Sequence, residues 1–408
     1  MVGDTHDTLT VNQEDPLTPI HGPEIFIGLV GPSGTDLDLL SSHLSKTLKN
    51  FDYKCHVITV SDIIKELRKF SNIPDKPEDA RITKLIKAGT EIKETVGRGD
   101  ILALLSIAKI RELRFAQLGE EKPYKPLSKV AYIFRSLKNP QEVQTLREIY
   151  GRPFYLISAY SPRDKRVENL TKRIADSHNS SSLTKYREAA ENITVTDELE
   201  EGKKHGQNVS GAFPIADFFV NVSRINDVKN QVERIIKILF GFPFETPQKD
   251  EMGMYLAWSS SLRSSDLSRQ VGAVIMSDDG EVLSTGCNDV PKFGGGQYWP
   301  DDTNDERDFQ KGSDSNAIYK NRIIKEIVDL LYNEGAFDKK FGSSADNVAS
   351  RILGPTGRSI FGGAQVFNLI EFGRAVHAEM AAITNAVRRG VSLQNSILYC
   401  TTFPCHNG

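Results

Sequence analysis

Residues 25–34 read IFIGLVGPSG, a run that predicts a buried strand ending in a glycine-rich turn. The apolar part resembles strands covered on both faces, and the glycines and proline that follow interrupt it. Leucines at helical spacing then lie on one face of residues 35–48. A strand, a glycine turn and a helix in this order present backbone N–H groups to an anion such as phosphate.

The alternation of strand and helix continues through the first 240 residues. Further strands are predicted at residues 56–60, 129–134, 154–160 and 216–220, each separated from the next by helical segments. This alternation favours a parallel sheet with helices on both faces. We therefore predict an α/β chain with a flexible polar tail at residues 1–23 and a first domain at residues 24–245.

A second domain is predicted for residues 249–408. A helix at its start precedes two strands joined by Asp279-Gly280, a pair typical of tight hairpin turns. A long polar segment follows, and a short helix at residues 376–389 and a strand at residues 395–401 end the pattern. We predict an α/β/α domain that carries an insertion at about residues 292–373.

The composition excludes several classes of protein. With 39% hydrophobic and 26% charged residues the chain is globular, and a net charge of −3 gives no basic field for nucleic acid. No apolar run is long enough to span a membrane, and four cysteines are too few for a disulfide scaffold. The N-terminus lacks a signal peptide. We expect a cytoplasmic protein with no membrane partner, in which Cys55, Cys287 and Cys400 are core residues.

The glycine-rich loop lacks the residues that phosphoryl transfer requires. A complete phosphate-binding loop reads GxxxxGK[ST], whereas here Thr35 and Asp36 follow the last glycine, so the lysine is absent and a carboxylate opposes phosphate. Three interpretations remain open, namely a scaffold, a nucleotide-binding domain without phosphoryl transfer, and an active kinase. The candidate nucleotide-binding residues are Gly28, Gly31, Ser33, Gly34 and Thr35.

Residues 24–240 resemble P-loop nucleoside monophosphate kinases in their organisation. Residues 132–143 are similar to a strand and a following Arg…Asn-Pro-x-Glu-Val segment seen in some of these kinases. Arg163, Arg166 and Arg173 resemble the arginines of their lid. The resemblance implies a degenerate P-loop kinase-like domain that lacks the electrostatics of catalysis.

Two short motifs near the end of the sequence predict a zinc site. His377-Ala378-Glu379 and Pro404-Cys405 fit the signature H-x-E…P-C-x-x-C of zinc nucleobase deaminases. An imidazole and two thiolates would hold Zn²⁺ and leave a fourth position for water. We assign His377 and Cys405 as ligands and Glu379 as the proton shuttle. Residues two apart lie about 200° apart on a helix, so His377 and Glu379 can share a site only at a helix start.

The third ligand of this signature is expected at position 408, where the sequence has glycine. The expectation is a chain that stops inside the motif, either because it is truncated or because a partner supplies the rest. With His377 and Cys405 alone, zinc affinity should fall sharply and activity should be impaired.

Two residues are candidates for contact with the substrate. Residues 268–275 and 286–291 resemble the opening strands of deoxycytidylate deaminases. In that resemblance, Asn288 of a G-x-N-x-x-P match would hydrogen-bond the sugar or the base. Arg269, with the nearby Arg263, could meet phosphate as a cationic donor, or both arginines could belong to a solvated surface.

The order of the two domains resembles the bacterial anti-phage deoxycytidylate deaminases over nearly the whole chain. That resemblance implies conversion of dCTP and dCMP to dUTP and dUMP, which depletes the pool that a replicating phage needs. It also implies a cytoplasmic homo-oligomer restrained until infection by a small inhibitory RNA. The alternatives are a cytosine or adenosine deaminase acting on nucleic acid, which would need a basic channel with stacking aromatics, and a non-catalytic regulatory scaffold that binds nucleotide.

Overall fold

The computed structural model describes residues 22–118, 125–198, 206–338, 340–355 and 364–405, together with residues 357 and 361. The chain divides into two compact units, Met1–Glu245 and Thr246–Gly408. The predicted tail at residues 1–23 lies outside the described residues except for its last two positions. Of these, Gly22 is tied to the first unit, because its carbonyl accepts a 2.7 Å hydrogen bond from the N–H of Lys129.

The first unit is built on a parallel five-stranded sheet with the strand order β2-β3-β1-β4-β5. Its strands are β1 (Ile25–Val30), β2 (Lys54–Thr59), β3 (Val130–Leu137), β4 (Phe154–Tyr160) and β5 (Phe218–Asn221). Its helices are α1 (Leu37–Lys49), α2 (Val60–Glu66), α3 (Glu78–Val96), α4 (Ile101–Leu118), α5 (Pro140–Tyr150), α6 (Arg163–Ser177), α7 (Thr184–Glu198), α8 (Val209–Ala212) and α9 (Ile225–Leu239). The predicted parallel α/β sheet is confirmed.

Strand β1 lies at the centre of this sheet, and all six of its residues are buried. Successive side chains point to opposite faces of a strand, so Ile27 packs in the core formed with α1 and α9, whereas Phe26 packs in the core beneath α4 and α5. Two apolar layers therefore cover the strand, which explains why its sequence is an unbroken apolar run.

The second unit contains a three-stranded antiparallel sheet in the order β7-β6-β8. Its strands are β6 (Gly272–Ser277), β7 (Val282–Cys287) and β8 (Ser396–Cys400), and β6 and β7 form the predicted hairpin. Helix α10 (Lys249–Ser261) packs on one face of the sheet through Ala257, and helix α14 (Ala378–Arg388) packs on the other through Ala382. The predicted α/β/α layering is confirmed.

The insertion (residues 292–373) folds into helices of its own. They are α11 (Asp308–Lys311), α12 (Ser315–Asn333) and α13 (Ala345–Leu353). Ile324 and Val328 of α12 pack against Val348 of α13 in a small separate core. Within the described ranges, no helix combines the length and the apolar composition needed to cross a bilayer.

Candidate active site

The start of α14 places the two residues of the H-x-E motif at one position in the fold. His377 is the N-cap residue with extended backbone (φ −63°, ψ 151°), and Glu379 lies in the first turn. The N–H of Val376 donates a 3.0 Å hydrogen bond to the carbonyl of Asp289, which ties the entry of the helix to the end of β7. Two residues that are two positions apart inside a helix lie about 200° apart around its axis. His377 is the N-cap and its backbone is not yet helical, so its side chain is not held to that separation from Glu379.

His377 and Cys405 are brought together although 28 residues separate them. The Nδ1 atom of His377 lies 3.5 Å from the Sγ atom of Cys405. Zinc bonds of about 2.05 Å to nitrogen and 2.3 Å to sulfur at a tetrahedral angle place the two ligand atoms about 3.5 Å apart. The separation of these two atoms therefore matches that of two ligands on one zinc ion.

A third protein ligand is not found in the part of the chain that the structure describes. No group of three or more His, Cys, Asp or Glu side chains that could hold a metal ion occurs among those residues. Position 408, where the signature has its last thiolate, lies outside them.

Glu379 is 5% exposed and has a neighbour that the sequence reasoning missed. The thiol of Cys400, at the end of β8, donates a hydrogen bond of 3.3 Å to Oε1 of Glu379. Burial of Cys400, with a smaller contribution from the Glu379 carboxylate, raises the pKa of this thiol to about 11. Cys400 is therefore a protonated hydrogen-bond donor to the carboxylate. Cys287, buried elsewhere in the unit, is the core residue that the sequence predicts.

A cavity of about 410 Å³ brings together five of the site residues predicted in the second unit. Its lining includes His377, Glu379, Cys405, Arg269 and Asn288. Its size lies within the range of small-molecule sites.

The two predicted substrate contacts, Asn288 and Arg269, differ in how many of their hydrogen-bonding groups already have partners within the protein. The Asn288 amide oxygen accepts a 2.6 Å hydrogen bond from the N–H of Val271 and lies 2.9 Å from the hydroxyl of Ser264, which is nearer to the backbone carbonyl of Asn288 at 2.6 Å. Its amide nitrogen donates to the carbonyl of Arg269 at 2.8 Å, which leaves one N–H of this side chain for a ligand. Arg269 donates to the hydroxyl of Thr402 at 3.0 Å on the cavity wall.

Arg263 does not share this place. Its guanidinium stacks on Trp299 at 3.8 Å from the ring centroid and donates to the carbonyl of Gln297. It is not part of the cavity lining. The suggestion that it meets phosphate beside Arg269 is therefore corrected to a role in holding the insertion in place.

One wall of the cavity comes from the insertion, which sequence reasoning did not assign to the site. Its contributions include Asp308, Asp314, Asn316 and Lys320. Lys320 has its Nζ atom 3.3 Å from the carbonyl of Phe367, so its charge lies at the wall without a carboxylate partner among the described residues. No local motif marks these residues, because their relation to the zinc motif arises only from the folding of the insertion.

The insertion is anchored to the site by buried charges. Arg307 is 3% exposed, donates to the carboxylate of Asp305, and places Nη1 4.0 Å from the carboxylate of Asp289. Arg374, just before the H-x-E motif, donates to Asp308 through Nε at 2.9 Å. These contacts connect the insertion to the segment that follows β7 and to the segment that precedes α14.

The glycine-rich loop of the first unit lines a second cavity of about 160 Å³. Gly31, Ser33, Gly34 and Thr35 belong to its lining. Gly28 does not: it lies within β1, and a Cβ atom there would meet Leu137 and Leu156 side chains at 2.8 and 2.9 Å. The assignment of Gly28 to nucleotide binding is corrected, because the close packing of the sheet explains this glycine.

Two other features of the first unit also depart from the sequence reading. Asp36 caps α1, since its carboxylate accepts a 2.9 Å hydrogen bond from the N–H of Leu39. Arg166 is buried, with Nε donating to the carbonyl of Ser161, and Arg173 pairs with Glu78. Of the three arginines likened to a lid, Arg166 is thus part of the packing of α6, Arg173 forms an ion pair at its surface, and Arg163 is exposed.

Comparison with known proteins gives a match for the second unit. Residues 247–407 match the family described as the cytidine and deoxycytidylate deaminase zinc-binding region. No curated protein sequence matches the chain.

Solved structures similar to the chain include three proteins of low identity. A gluconokinase from Sinorhizobium meliloti 1021 is 13% identical over 55% of this chain and 99% of its own, with a TM-score of 0.27. Shikimate kinase from Aquifex aeolicus is 12% identical over 54% and 100%, with a TM-score of 0.28. A tunicamycin resistance protein from Deinococcus radiodurans is 12% identical over 56% and 100%, with a TM-score of 0.27.

The family match and the paired imidazole and thiol agree on the chemistry of the second unit. Zinc is the metal that this family binds, and the two side chains lie at the separation that zinc requires. Residues 247–407 therefore match the zinc-binding region of the cytidine and deoxycytidylate deaminases in sequence and in this pair of side chains, and they follow an α/β unit with a parallel five-stranded sheet.

Proposed function

We propose that this protein deaminates deoxycytidine nucleotides hydrolytically, converting dCTP to dUTP and dCMP to dUMP. The observation that carries the proposal is the placement of His377 Nδ1 3.5 Å from Cys405 Sγ, in a cavity that also holds the buried carboxylate of Glu379. In this proposal His377 and Cys405 hold zinc together with a third ligand. When bound, the metal acidifies a water molecule.

Glu379 moves the protons of the reaction. The carboxylate takes a proton from the attacking water and delivers it to the ring nitrogen as the new C–O bond forms. It then takes the remaining proton of the added hydroxyl and delivers it to the amine, so that the C–N bond breaks, a carbonyl is left on the pyrimidine and ammonia departs. Two features hold the carboxylate in place. Its position in the first turn of α14 favours a negative charge, and the thiol of Cys400 donates to Oε1.

The cationic part of the cavity suits a phosphorylated substrate. Arg269 and Lys320 lie on its wall and offer charge-assisted hydrogen bonds to phosphate oxygens. The remaining N–H of Asn288 is the proposed contact for the sugar or the base. Glycine stands at position 408, where the signature has a thiolate, so we propose that zinc affinity and turnover of the 408-residue chain are low.

The experiment compares substrates on the full chain and on its Gly408→Cys variant, both supplied with zinc. Each protein is incubated with dCTP, dCMP, deoxycytidine or a cytosine-containing single-stranded oligonucleotide, and the uracil product is quantified. We expect deamination of the nucleotides, faster in the variant. Deamination of the oligonucleotide alone would overturn the proposal in favour of a nucleic-acid deaminase. Absence of both zinc and turnover from the two proteins would favour the non-catalytic scaffold.

Substitutions in the active variant separate the roles of the residues. Glu379→Gln should lower turnover by about 10²–10⁴-fold and keep zinc, because Glu379 is not a ligand. His377→Ala should lose both. Loss of zinc on the Glu379 substitution would contradict its assignment.

The phosphate contact has a matched control on the same helix. Lys320→Met should raise KM for dCMP by about tenfold or more and change deoxycytidine little. Lys325, also on α12, pairs with Asp346 at 2.7 Å and lies outside the cavity lining, so Lys325→Met should leave both constants unchanged. Equal effects of Lys320→Met on nucleoside and nucleotide would argue against a phosphate contact.

We further propose that the reaction serves antiviral defence by depleting deoxycytidine nucleotides in the cytoplasm, that the protein works as a homo-oligomer, and that a small RNA restrains it. The support is the resemblance of the two-domain order to anti-phage deoxycytidylate deaminases. Nucleotide pools measured during phage infection test the role, with cells expressing the Glu379→Gln protein as control. Equal dCTP levels in the two strains would overturn it.

A further inference from the structure

The glycine-rich loop of the first unit already holds an anion, and that anion belongs to the chain itself. The N–H of Ser33 donates a 2.6 Å hydrogen bond to Oδ2 of Asp197, which lies near the end of α7. The turn between a strand and the start of α1 is where backbone N–H groups favour negative charge. The Asp197 carboxylate thus occupies the position of the loop that a phosphate oxygen would take.

A lysine completes this arrangement, although the loop sequence has none. Lys138, directly after β3, places Nζ 2.8 Å from Oδ2 of Asp197 and 2.9 Å from the carbonyl of Gly31. It reaches the loop from 107 residues away in the sequence. The cation that a phosphate-binding loop requires is therefore supplied from the end of a neighbouring strand.

A second feature of the loop points to a ligand. Thr35 is 6% exposed, its Oγ1 atom is buried without a hydrogen-bond partner, and the residue lines the cavity. A buried hydroxyl without a partner costs free energy, and native structures rarely leave one unless a ligand or water uses it. Asp197, by contrast, has a side chain that is only 1% exposed, and its Oδ2 atom accepts hydrogen bonds from both Ser33 and Lys138.

The charge of the cavity also fits an anionic occupant. Its lining carries two carboxylates, those of Glu142 and Asp197. The basic side chains in the lining are Arg81, Lys93, Arg135, Lys138 and Arg173. Four of these cations already have carboxylate partners: Arg81 and Arg173 pair with Glu78, Lys93 pairs with Glu142, and Arg135 pairs with Asp38. The fifth, Lys138, pairs with Asp197, so displacing Asp197 would free this lysine at the loop to pair with an incoming anion.

We propose that Asp197 is an internal stand-in for phosphate that closes the loop, and that a small molecule bearing a terminal phosphate chain binds to Ser33 N–H, Lys138 and Thr35 by displacing it. The ligand and the carboxylate compete for the same donors. An attached competitor acts at a high effective concentration, so the intact chain binds such a ligand weakly. The ligand shifts this equilibrium only to the extent that it binds the state with Asp197 displaced more tightly than the state with Asp197 on the loop.

The test compares wild-type full chain with Asp197→Asn, using inorganic tripolyphosphate and ATP as probes in isothermal titration calorimetry. Asparagine keeps the size of the side chain but removes its charge, so the variant should bind tripolyphosphate at least about tenfold more tightly than wild type. Adding Lys138→Met to Asp197→Asn should abolish the gain. If ATP binds more tightly than tripolyphosphate, a nucleoside triphosphate is the preferred source of the phosphate chain.

Asp52→Asn is the matched control. Asp52 pairs with Lys129 just before β3, at the opposite end of the parallel strands from the loop, and its substitution removes the same charge from the same unit. This variant should bind like wild type. Equal binding by wild type and Asp197→Asn, absence of binding by both, or a gain that survives Lys138→Met would each overturn the proposal.

A measurement on the unmodified chain covers the case in which Asp197→Asn does not fold. Hydrogen exchange followed by mass spectrometry is recorded with and without excess tripolyphosphate. Displacement of Asp197 should protect residues 31–35 and speed exchange in the last turns of α7. Unchanged exchange in both segments, or protection of both, would overturn the proposal.

Discussion

The thiol of Cys400 lies 3.3 Å from Oε1 of Glu379, the carboxylate proposed to carry the protons of the reaction. Strand β8 positions it there, because Cys400 pairs with Ala273 of β6 and packs on the sheet face covered by α14. The contact requires a protonated thiol, since a thiolate would repel the carboxylate. Burial supplies this condition by raising the pKa of Cys400 to about 11.

The rate of alkylation at a fixed pH should therefore distinguish Cys405 from the other three cysteines. A raised thiol pKa means that reactive thiolate forms only as the pH approaches it, and the pKa values of Cys287 and Cys400 are both about 11. Burial also raises the pKa of Cys55. Cys405 is exposed, so iodoacetamide should modify it first at pH 8, which is about three units below the pKa of Cys287 and Cys400.

Peptide mass spectrometry after timed labelling checks this order. Zinc added beforehand should slow modification of Cys405 and leave the others unchanged, because only Cys405 is a proposed ligand. Labelling of Cys400 at the rate of Cys405 at pH 8 would contradict the protonated contact with Glu379.

Local patterns were sufficient for much of the fold. The central strand β1 and strand β4 have the predicted bounds, because both are apolar runs with glycine or proline at their ends. Helix α13 was missed. Its sequence did carry a signal, because Val348, Ala349, Ile352 and Leu353 recur at helical spacing and Ser344 caps the helix. The helix has only nine residues and lies in a polar insertion, so this short pattern was overlooked.

The site shows the same division. His377, Glu379 and Cys405 follow from a motif whose residue types are dictated by metal chemistry, and the structure places them in one cavity. Lys320 and Asp197 could not be predicted from sequence. Asp197 reaches Ser33 across 164 residues, and nothing near either residue in the sequence signals the contact.

Gly408→Cys should strengthen zinc binding. The change completes C-x-x-C with Cys405, so that two thiolates and the imidazole of His377 give the three protein ligands of a catalytic zinc site. We expect zinc affinity to rise by at least about 100-fold, more than the loss of an outer-shell partner usually costs. Competition with a chromogenic chelator measures it. Gly408→Ser is the control for the added side chain, and equal affinities for the serine and cysteine variants would contradict the ligand assignment.

Alanine substitutions at two glycines of the hairpin should distinguish a loss of stability from a change in the geometry of the zinc site. A Cβ atom on Gly286 would lie 2.4 Å from the carbonyl oxygen of Ala378, on the helix that carries Glu379. A Cβ atom on Gly272 would lie 2.0 Å from the carbonyl oxygen of Ala257, on the helix across the sheet. Backbone must move in both cases, so each alanine substitution should lower the free energy of unfolding by about 1–3 kcal/mol or more.

Only Gly286→Ala should also weaken zinc binding, because it displaces the start of α14, whereas Gly272→Ala displaces α10. Urea denaturation and chelator competition on the same samples provide both measurements. Equal losses of zinc affinity in the two variants would show that the effect is general destabilisation.

The buried ion pair between Lys93 and Glu142 should be among the most sensitive points of the first unit. Nζ and Oε1 lie 2.8 Å apart with both side chains 2% exposed, and Oε2 of Glu142 also accepts a 2.7 Å hydrogen bond from the N–H of Lys138. Lys93→Met leaves a buried carboxylate uncompensated and should cost about 3–5 kcal/mol of unfolding free energy. Lys109→Met removes a solvent-accessible pair with Glu66 and should cost less than about 1 kcal/mol. Adding Glu142→Gln to Lys93→Met should restore part of the lost unfolding free energy, because it removes the uncompensated charge. Urea denaturation measures both variants, and a further loss of stability in the double variant would contradict this account.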